Sequence, residues 1–208
     1  MQQRVDGSIA ADTVAQGSAV SFPIRFEPTD LPGCLAVFPR SADDARGRFV
    51  KFFHAPSFAA RGLDHDFAEA FYTTSREGVI RGMHLQVAPR AHAKLVWCLA
   101  GRALDVLLDL RRGSPTFGQH ITIDLDESVA RGVYIPPGIA HGFCATSEPS
   151  ILAYLVTSAH SPQHDCGVRW DSFGMTWPDR TPIVSRRDAQ LPALADFDSP
   201  FDFGERCD

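Results

Sequence analysis

The chain has 208 residues, of which 44% are hydrophobic, and it carries a formal net charge of -5 at neutral pH. This length and apolar content predict one domain with a substantial core and disfavour two domains. No Lys/Arg run is long enough to follow a phosphate backbone, so no nucleic acid partner is expected, and no apolar segment approaches the roughly 20 residues of a membrane span.

Residues 1–20 are small and polar, and they predict a flexible N-terminus. This segment has no continuous apolar stretch of the kind found in signal peptides, which favours a cytoplasmic location and no membrane partner. From Phe22 onward the segments FPIRF and CLAVFPR read as short strands, and the turn residues Pro32 and Gly33 separate them.

The next two segments predict a turn and a helix. In SADDARGRFVKFF, a turn carries Asp43, Asp44 and Arg46 into a strand. Residues 55–71 predict the one short helix of this region. The apolar side chains spaced loosely along it are Phe58, Leu63, Phe67 and Phe71.

The sequence after residue 84 alternates in the manner of β-strands. One strand face carries Leu104, Val106, Leu108 and Leu110. The opposite face of that strand carries Asp105, Leu107 and Asp109. Residues 121–125 and the segments GVYIPPGIAHGFCA and SILAYLVT follow at similar spacing, with turns between them. Short strands at such intervals predict a mainly β sandwich or barrel, and the jelly roll is a type that encloses a pocket.

The C-terminal quarter of the chain is less regular. Residues 161–185 predict loops, and the segment SRRDAQLPAL predicts a short helix that folds back over the barrel. The acidic and aromatic residues 196–208 predict a C-terminal tail on the surface. The chain therefore divides into a flexible N-terminus, one domain over residues 21–195, and this tail.

Two residue patterns bear on thiols and metals. The five cysteines are odd in number and scattered, which predicts free thiols in a reducing compartment rather than disulfides.

Residues 136–141, PPGIAH, fit the P-x-G-x-x-H turn of cupin barrels, in which a metal also takes an H-x-H pair and a glutamate. Here Gln86 follows His84 at the second position and His92 lies further on, so too few ligands are present and no metal is expected.

The stretch RGMHLQ places His84 ten residues before Lys94. A proton acceptor and a fixed positive charge in one neighbourhood suit removal of a proton next to a carbonyl. Spacing alone leaves a structural role open for each candidate residue. A single histidine such as His84, or a single aspartate such as Asp188, is more often structural than catalytic. Tyr154 is compatible with a position in the core.

Asp105 has two interpretations. On the inner face of a small barrel its carboxylate would need a partner, and Lys94 or Arg81 is a natural one. Alternatively, Asp105 and Asp109 both face water. The spacing does not distinguish the two.

Several segments together resemble the dTDP-4-dehydrorhamnose 3,5-epimerase family over about residues 40–195. They are GVIRGMHLQ, KLVWCLAGRALDVLLDLRRGSPTFG, YIPPGIAHGF, AYLVTSAHSPQHDCGVRWD and WPDRTPIVSRRDAQLP. The resemblance implies a mainly β fold, a cupin-type jelly-roll β-barrel with a few short helices. It also implies a cofactor-independent, metal-free epimerase of nucleotide-linked 4-keto-6-deoxy sugars in deoxysugar or polysaccharide biosynthesis.

The same resemblance implies roles for individual residues. His84 would be the base, Asp188 would orient it, Tyr154 would be the opposing proton donor, and Lys94 would stabilise the enolate. The expected substrate-binding residues are Arg46, Arg81, Gln86, Asp105, His141, His160, Asp165 and Arg187. This chemistry is coherent, since a C4 ketone acidifies the hydrogens on C3 and C5 and inversion requires a proton from the opposite face.

The chain departs from the family pattern mainly in predicted substrate recognition. His160 stands where the family usually has a tyrosine, Lys51 and Asp165 stand where it usually has glutamate, and residues 69–71 replace a Q-D-N-like segment. These changes leave open whether the nucleotide is dTDP, CDP or GDP, and whether C3, C5 or both are inverted. The resemblance also implies a homodimer, in which Arg46 would serve the neighbouring copy.

Two other function classes remain as alternatives. One is a non-catalytic barrel that binds a sugar nucleotide. The other is a metal-dependent cupin oxygenase, which the missing H-x-H pair disfavours.

Overall fold

The structure is a computed structural model that describes residues 24–205, so the predicted flexible segment 1–20 lies outside it. Fourteen strands occur within the described residues: β1 (Arg25–Pro28), β2 (Leu35–Phe38), β3 (Ser41–Asp44), β4 (Gly47–Val50), β5 (Glu69–Ser75), β6 (Val79–Gln86), β7 (Lys94–Ala100), β8 (Arg102–Asp109), β9 (His120–Asp126), β10 (Gly132–Ile135), β11 (Ile139–Ala145), β12 (Ser150–Val156), β13 (Asp165–Gly167) and β14 (Ile183–Val184). Two short helices, α1 (Ala55–Ala59) and α2 (Arg186–Ala189), and a 3₁₀ turn (Leu194–Asp196) complete the described elements.

The strands form two main sheets. The first has the spatial order β1-β2-β10-β7-β12-β5, and the second has the order β13-β6-β11-β8-β9, with β14 added parallel to β6. All other pairings in these two sheets are antiparallel. Strands β3 and β4 form a separate hairpin. Sequence neighbours are often not spatial neighbours, as a jelly roll requires.

The main core fills the space between the two sheets. The first sheet contributes inward side chains such as Val96, Val133 and Leu152, and the second contributes Leu107 and Phe143. Each lies on a strand whose alternate residues point the other way. This packing closes one end of the barrel interior with apolar side chains and leaves room for a cavity elsewhere.

Strand β7 is buried on both faces, which explains why KLVWCLA reads as one apolar run. Val96 faces the core between the sheets, whereas Leu95 and Trp97 face a second cluster outside the first sheet. Helix α1 covers this outer cluster with Phe58, which is fully buried. Burying a side chain of this size contributes about 2 kcal/mol.

The predicted helix over residues 55–71 is wrong beyond residue 59. Helix α1 has only five residues, and Gly62 turns the chain with a φ of +67°. Phe58 and Phe67 still meet edge to face in the same cluster, with ring centroids 6.3 Å apart. Their apolar spacing therefore reflects two arms of a turn, and the last residues of the predicted helix begin strand β5.

Within the described residues 196–205, part of the predicted surface tail is packed against the barrel, which corrects that prediction for Ser199 and Phe201. Phe201 is buried in a third cluster on the outer face of the second sheet, together with Trp177. The Ser199 hydroxyl donates to the Leu110 carbonyl, and Asp202 pairs with Arg112. The predicted loop region before it also contributes strands β13 and β14, whereas the predicted helix in SRRDAQ is confirmed as α2.

Asp109 does not face water, contrary to one of the two interpretations. Its carboxylate is fully buried and accepts hydrogen bonds from Arg111, Ser114 and Thr116. Burial alone would raise the pKa of Asp109, but these donors outweigh it and hold the pKa below its ordinary value.

The described cysteines are all free thiols. Cys34, Cys98 and Cys144 are buried and Cys166 is half-buried, whereas Cys207 lies outside the described residues. Burial raises the pKa of Cys98 to about 11, so its thiol stays protonated at neutral pH. Within residues 24–205 the structure contains no helix with the length and apolar character needed to cross a membrane.

Candidate active site

A cavity of about 650 Å³ opens between the two sheets. Ten of the twelve predicted site residues line it, and the two that do not are Arg46 and Asp105. The four predicted catalytic side chains come from both sheets: His84 from β6 and Asp188 beside it from α2, Lys94 from β7 and Tyr154 from β12. The fold therefore collects residues that are more than 100 positions apart in the sequence.

A bulge in β6 directs the side chains of Arg81 and His84 into the cavity. Arg81 pairs with Phe143 and His84 pairs with His141, so two residues of β6 oppose one residue of β11. Regular alternation would place Arg81 and His84 on opposite faces, but the extra residue restores both to the cavity side.

The bulge depends on glycine in both strands. Gly82 has a φ of +138°, and a Cβ on it would lie 2.5 Å from the Cα of Gly142. A Cβ on Gly142 would lie 2.6 Å from the sulfur of Met83. The two backbones therefore approach more closely than side chains allow.

His84 is held by Asp188. The distance from His84 Nε2 to Asp188 Oδ1 is 2.8 Å, and Asp188 Oδ2 accepts a hydrogen bond from the Gly82 amide at 3.2 Å. A carboxylate can only accept, so Nε2 carries the proton and Nδ1 keeps its lone pair. Burial alone would raise the pKa of Asp188, but the His84 ring and the Gly82 amide keep it below its ordinary value.

Helix α2 places Asp188 by a local sequence signal. Its N-cap is Ser185, whose hydroxyl accepts from the Asp188 amide at 3.0 Å. The cap fixes the first turn of the helix, and Asp188 is buried at its inner side. The pattern S-x-x-D thus orients the carboxylate that orients the histidine.

Lys94 is a buried ammonium beside the histidine backbone. Its Nζ donates to the His84 carbonyl at 2.9 Å, and the residue is only 9% exposed. Burial lowers the pKa of Lys94 to about 8, although Asp165 and Asp105 partly oppose this shift. The group is therefore mostly cationic at neutral pH, within a poorly hydrated site.

Tyr154 forms part of the opposite wall. Its ring stacks on Phe71 with centroids 4.8 Å apart and meets the edge of His141 at 5.9 Å. Burial raises the pKa of Tyr154, and the nearby Asp105 raises it further. The phenol consequently keeps its proton across the physiological range.

Asp105 is buried, and its partner is neither Lys94 nor Arg81. Its Oδ2 lies 2.7 Å from His141 Nε2, and its Oδ1 is a buried oxygen without a hydrogen-bond partner. In the register of β8 and β11, His141 lies opposite Leu107, so it reaches Asp105 diagonally on the same face. Asp105 thus supports His141 from behind the cavity wall.

The remaining polar groups lie around Arg187. Its guanidinium contacts Asp165 at 2.7 Å and lies 3.3 Å from His84 Nε2. His160 is more distant, with Nδ1 4.0 Å from Asp165. Arg81 donates to the Ser75 hydroxyl at 3.1 Å. Two guanidinium groups at one cavity suit an anionic ligand.

Gln86 lines the cavity, but its amide already has protein partners. It accepts from the Ser161 amide at 2.6 Å and donates to the Arg90 carbonyl and to His92 Nδ1, both at 2.9 Å. Burial, with Lys94 and His160 nearby, lowers the pKa of His92 to about 3, so its ring is neutral. Among residues 24–205, no group of three or more His, Cys, Asp or Glu side chains is arranged to hold a metal ion.

The comparison with known proteins decides the family. The family model described as dTDP-4-dehydrorhamnose 3,5-epimerase matches residues 28–196. The chain belongs to this family. Its mainly β, cupin-type jelly-roll fold and its expected class, an isomerase that acts as an epimerase, are confirmed by the same comparison and by the relatives below.

Two curated relatives differ in the reaction that their names describe. A dTDP-4-dehydrorhamnose 3,5-epimerase of Mycolicibacterium smegmatis is 37% identical over 168 residues, covering 80% of this chain and 84% of that protein. A dTDP-4-dehydrorhamnose 3-epimerase of Streptomyces niveus is 37% identical over 176 residues, covering 83% and 85%. Overall identity therefore does not separate inversion at both carbons from inversion at C3.

A solved relative contains a ligand. It is the dTDP-6-deoxy-D-glucose-3,5-epimerase of Legionella pneumophila in complex with dTDP-4-keto-L-rhamnose. The two structures superpose with a TM-score of 0.80 at 31% identity, covering 84% of this chain and 95% of that one.

Arg46 lies apart from the cavity of its own chain. It sits in the turn of the β3–β4 hairpin, and its side chain is 89% exposed. It pairs with Asp44 on the same hairpin. The predicted turn is confirmed, although Asp43 and Asp44 belong to β3. A role for Arg46 in this family would require another copy of the chain to approach.

The apolar pattern alone missed part of the cavity wall, because it assigned residues 55–71 to a helix, although the family resemblance had placed residues 69–71 in substrate recognition. Strand β5 presents Glu69, Phe71 and Thr73 to the cavity at every second position. The two-residue period was a usable signal, since Tyr72 between them is exposed on the other face. Glu69 accepts from the His160 amide at 2.8 Å and so braces one end of the cavity.

Proposed function

We propose that the protein inverts C3, C5 or both in a nucleotide-linked 4-keto-6-deoxy sugar by removing and returning a proton. The observation that supports this most directly is one cavity that contains a carboxylate-held histidine, a buried ammonium and a protonated phenol from opposite sheets. These are the three groups that an enolate mechanism requires.

His84 would be the base. Its Nδ1 keeps a free lone pair because Nε2 is engaged by Asp188. When Nδ1 takes the proton, the ring becomes an imidazolium, and the adjacent carboxylate stabilises the new charge. Asp188 therefore sets the tautomer of His84 and lies where it contacts the imidazolium.

Lys94 would stabilise the enolate oxygen. The electrons of the broken C–H bond move onto the C4 oxygen, and a cation in a poorly hydrated site stabilises that charge more strongly than one in water. The pKa of about 8 leaves the Lys94 ammonium mostly charged at neutral pH.

Tyr154 would return a proton to the opposite face. Its hydroxyl proton forms the new C–H bond while the enolate collapses to the ketone. The tyrosinate then takes a proton from solvent, and the His84 imidazolium releases its proton to solvent. The raised pKa keeps the donor loaded before each turnover.

The substrate would be held by charge and stacking. Arg81 and Arg187 are the cavity cations that suit a diphosphate, and His160 has an exposed ring that suits stacking on a base. The Legionella relative in complex with dTDP-4-keto-L-rhamnose supports a nucleotide-sugar ligand. His141, Asp165 and Gln86, with Asp105 behind His141, remain predicted contacts to the sugar or its linkage.

We further predict a homodimer in the cytoplasm. In a dimer, the exposed Arg46 on its hairpin would reach the cavity of the second copy. The test is the molar mass in solution by light scattering for the parent protein and for Arg46→Ala. A monomeric parent with full activity would contradict this arrangement.

The main test is deuterium exchange. The protein is incubated with dTDP-4-keto-6-deoxyglucose in deuterated water, and label at C3 and C5 is followed by NMR. We expect label at one or both carbons, and we expect Tyr154→Phe to slow formation of the epimer more than exchange. A complete lack of label with dTDP-, CDP- and GDP-linked substrates would rule out the proposed function.

The nucleotide itself is a separate question. His160 and Glu69 differ from the usual family residues at the cavity end, which favours testing CDP- and GDP-linked sugars beside the dTDP form. Calorimetry with dTDP, CDP and GDP would rank the three bases. Tight binding of one nucleotide without any exchange would instead support a non-catalytic binding protein.

A further inference from the structure

We propose that Phe71 is a positioning residue for the phenol of Tyr154, and that it determines how often proton return follows proton removal. This inference rests on the proposed function, because it takes Tyr154 as the group that returns the proton. Phe71 falls in the segment that replaces a Q-D-N-like sequence, so it is a particular feature of this chain.

The two rings are direct cross-strand neighbours. Phe71 on β5 lies opposite Tyr154 on β12, and the ring planes differ by only 10° at a centroid separation of 4.8 Å. Opposed residues in an antiparallel pair are close enough for each ring to restrict the rotamer of the other. The phenol therefore cannot change its χ1 rotamer without losing this stack.

The other side of the phenol is fixed by a second ring. His141 meets Tyr154 at 5.9 Å with an interplanar angle of 66°, and Asp105 anchors His141 at 2.7 Å. The phenol thus lies between the His141 ring, which is bonded to a buried carboxylate, and the Phe71 ring, which lies on an edge strand. Of these two contacts, only Phe71 can be changed without disturbing a buried charge.

Exposure shows which ring shields the other. Tyr154 is 7% exposed and Phe71 is 44% exposed, so Phe71 covers the phenol on the side toward solvent. Within the described residues, β5 is the last strand of the first sheet and pairs with β12 alone. On its solvent side, the position of the phenol accordingly depends on the contact with Phe71 at the sheet edge.

This contact matters because the enolate has two possible fates. His84 can return the proton to the face from which it came, which regenerates the substrate. Alternatively, the O–H bond of Tyr154 breaks, a C–H bond forms on the opposite face, and the product is the epimer. A phenol displaced from its position protonates carbon less often, so the first fate gains at the expense of the second.

The experiment measures the ratio of these two outcomes. In deuterated water with dTDP-4-keto-6-deoxyglucose, deuterium in recovered substrate is compared with epimer formed. We expect Phe71→Ala to raise the ratio of exchange to epimer about tenfold. Phe71→Tyr preserves the stack and should keep the parent ratio. Tyr72→Ala is the matched control, because Tyr72 is the next residue on β5 and points away from the cavity.

The outcomes separate this inference from the proposed function. If the parent exchanges and Phe71→Ala has the parent ratio, the stack has no role in proton return and the inference is overturned. If exchange and epimer formation in Phe71→Ala fall by the same factor, the ratio is unchanged and the inference is likewise overturned. If the parent incorporates no deuterium, the proposed function fails, and this inference fails with it. Melting temperatures of the variants verify that each is folded.

Discussion

Two histidine–aspartate pairs have their histidines on neighbouring strands, and each joins Nε2 to a carboxylate oxygen at nearly the same distance. His84 Nε2 lies 2.8 Å from Asp188, and His141 Nε2 lies 2.7 Å from Asp105. The two histidines are themselves opposite one another in the register of β6 and β11. Residue type and distance therefore do not distinguish the two pairs. Any difference in their roles must come from their surroundings.

The surroundings differ in exposure and in hydrogen bonding. The His84 side chain is 26% exposed, whereas that of His141 is 5% exposed. Asp188 uses both oxygens, but Asp105 leaves Oδ1 buried without a partner. The part-exposed His84 ring, held by a carboxylate with both oxygens bonded, can accept a proton from a substrate (the open pair). The buried His141–Asp105 pair mainly forms the cavity wall (the closed pair).

The largest expected effect comes from breaking the open pair. We expect His84→Ala to lower the exchange rate on the order of 10³-fold, because it removes the only proposed base. Its melting temperature should change little, since the ring is part-exposed. His65→Ala is the control, as His65 is exposed and its ring contacts the nearby Leu63 carbonyl outside the cavity. Parent-like exchange by His84→Ala would assign the base elsewhere.

Breaking the closed pair should affect stability instead. His141→Leu leaves the Asp105 carboxylate buried and alone, at a cost of about 3 kcal/mol. That corresponds to a fall in melting temperature of about 10 °C for a protein of this size. Replacing both residues with Leu should recover most of the loss, because no charge remains buried. Thermal denaturation of the two single variants and the double variant measures the coupling, and additive losses would contradict it.

The smallest effect is a pH dependence that arises from Lys94, which lies beside the open pair. Lys94 has a lowered pKa of about 8, so its ammonium loses a proton as pH rises through that value. We expect kcat/KM to fall about tenfold per pH unit above pH 8. The raised pKa of Tyr154 keeps the phenol from titrating in the same range. Lys94→Met should be slow at every pH, whereas Arg61→Met, at an exposed position outside the cavity, should keep the parent profile. A flat parent profile to pH 10 would contradict this prediction.

Local patterns predicted the strands well. The alternation around Leu104 and Val106 and the apolar run of β7 follow directly from the two-residue period of a strand. The helix prediction over residues 55–71 failed because Phe58 and Phe67 pack into one cluster from two sides of a turn. A periodic pattern cannot show whether apolar residues meet along a helix or across a bend.

The site was predicted by family resemblance more than by spacing. Alternation placed Asp105 on its strand face but could not name His141 as its partner, because that contact depends on how β8 and β11 align. Such registers are set by the whole sheet. For the same reason, the sequence did not predict the bulge that directs both Arg81 and His84 into the cavity.

The close approach of β6 and β11 at Gly82 and Gly142 has a consequence for mutational surveys of this protein. Gly82 and Gly142 have no room for even a methyl group, although neither would contact the sugar through a side chain. A scan scored by activity would rank both positions beside the base and the phenol, because any replacement separates the strands that carry His84 and His141. Intolerance at these two glycines would report the spacing of two backbones, and it should not be mistaken for a role in chemistry.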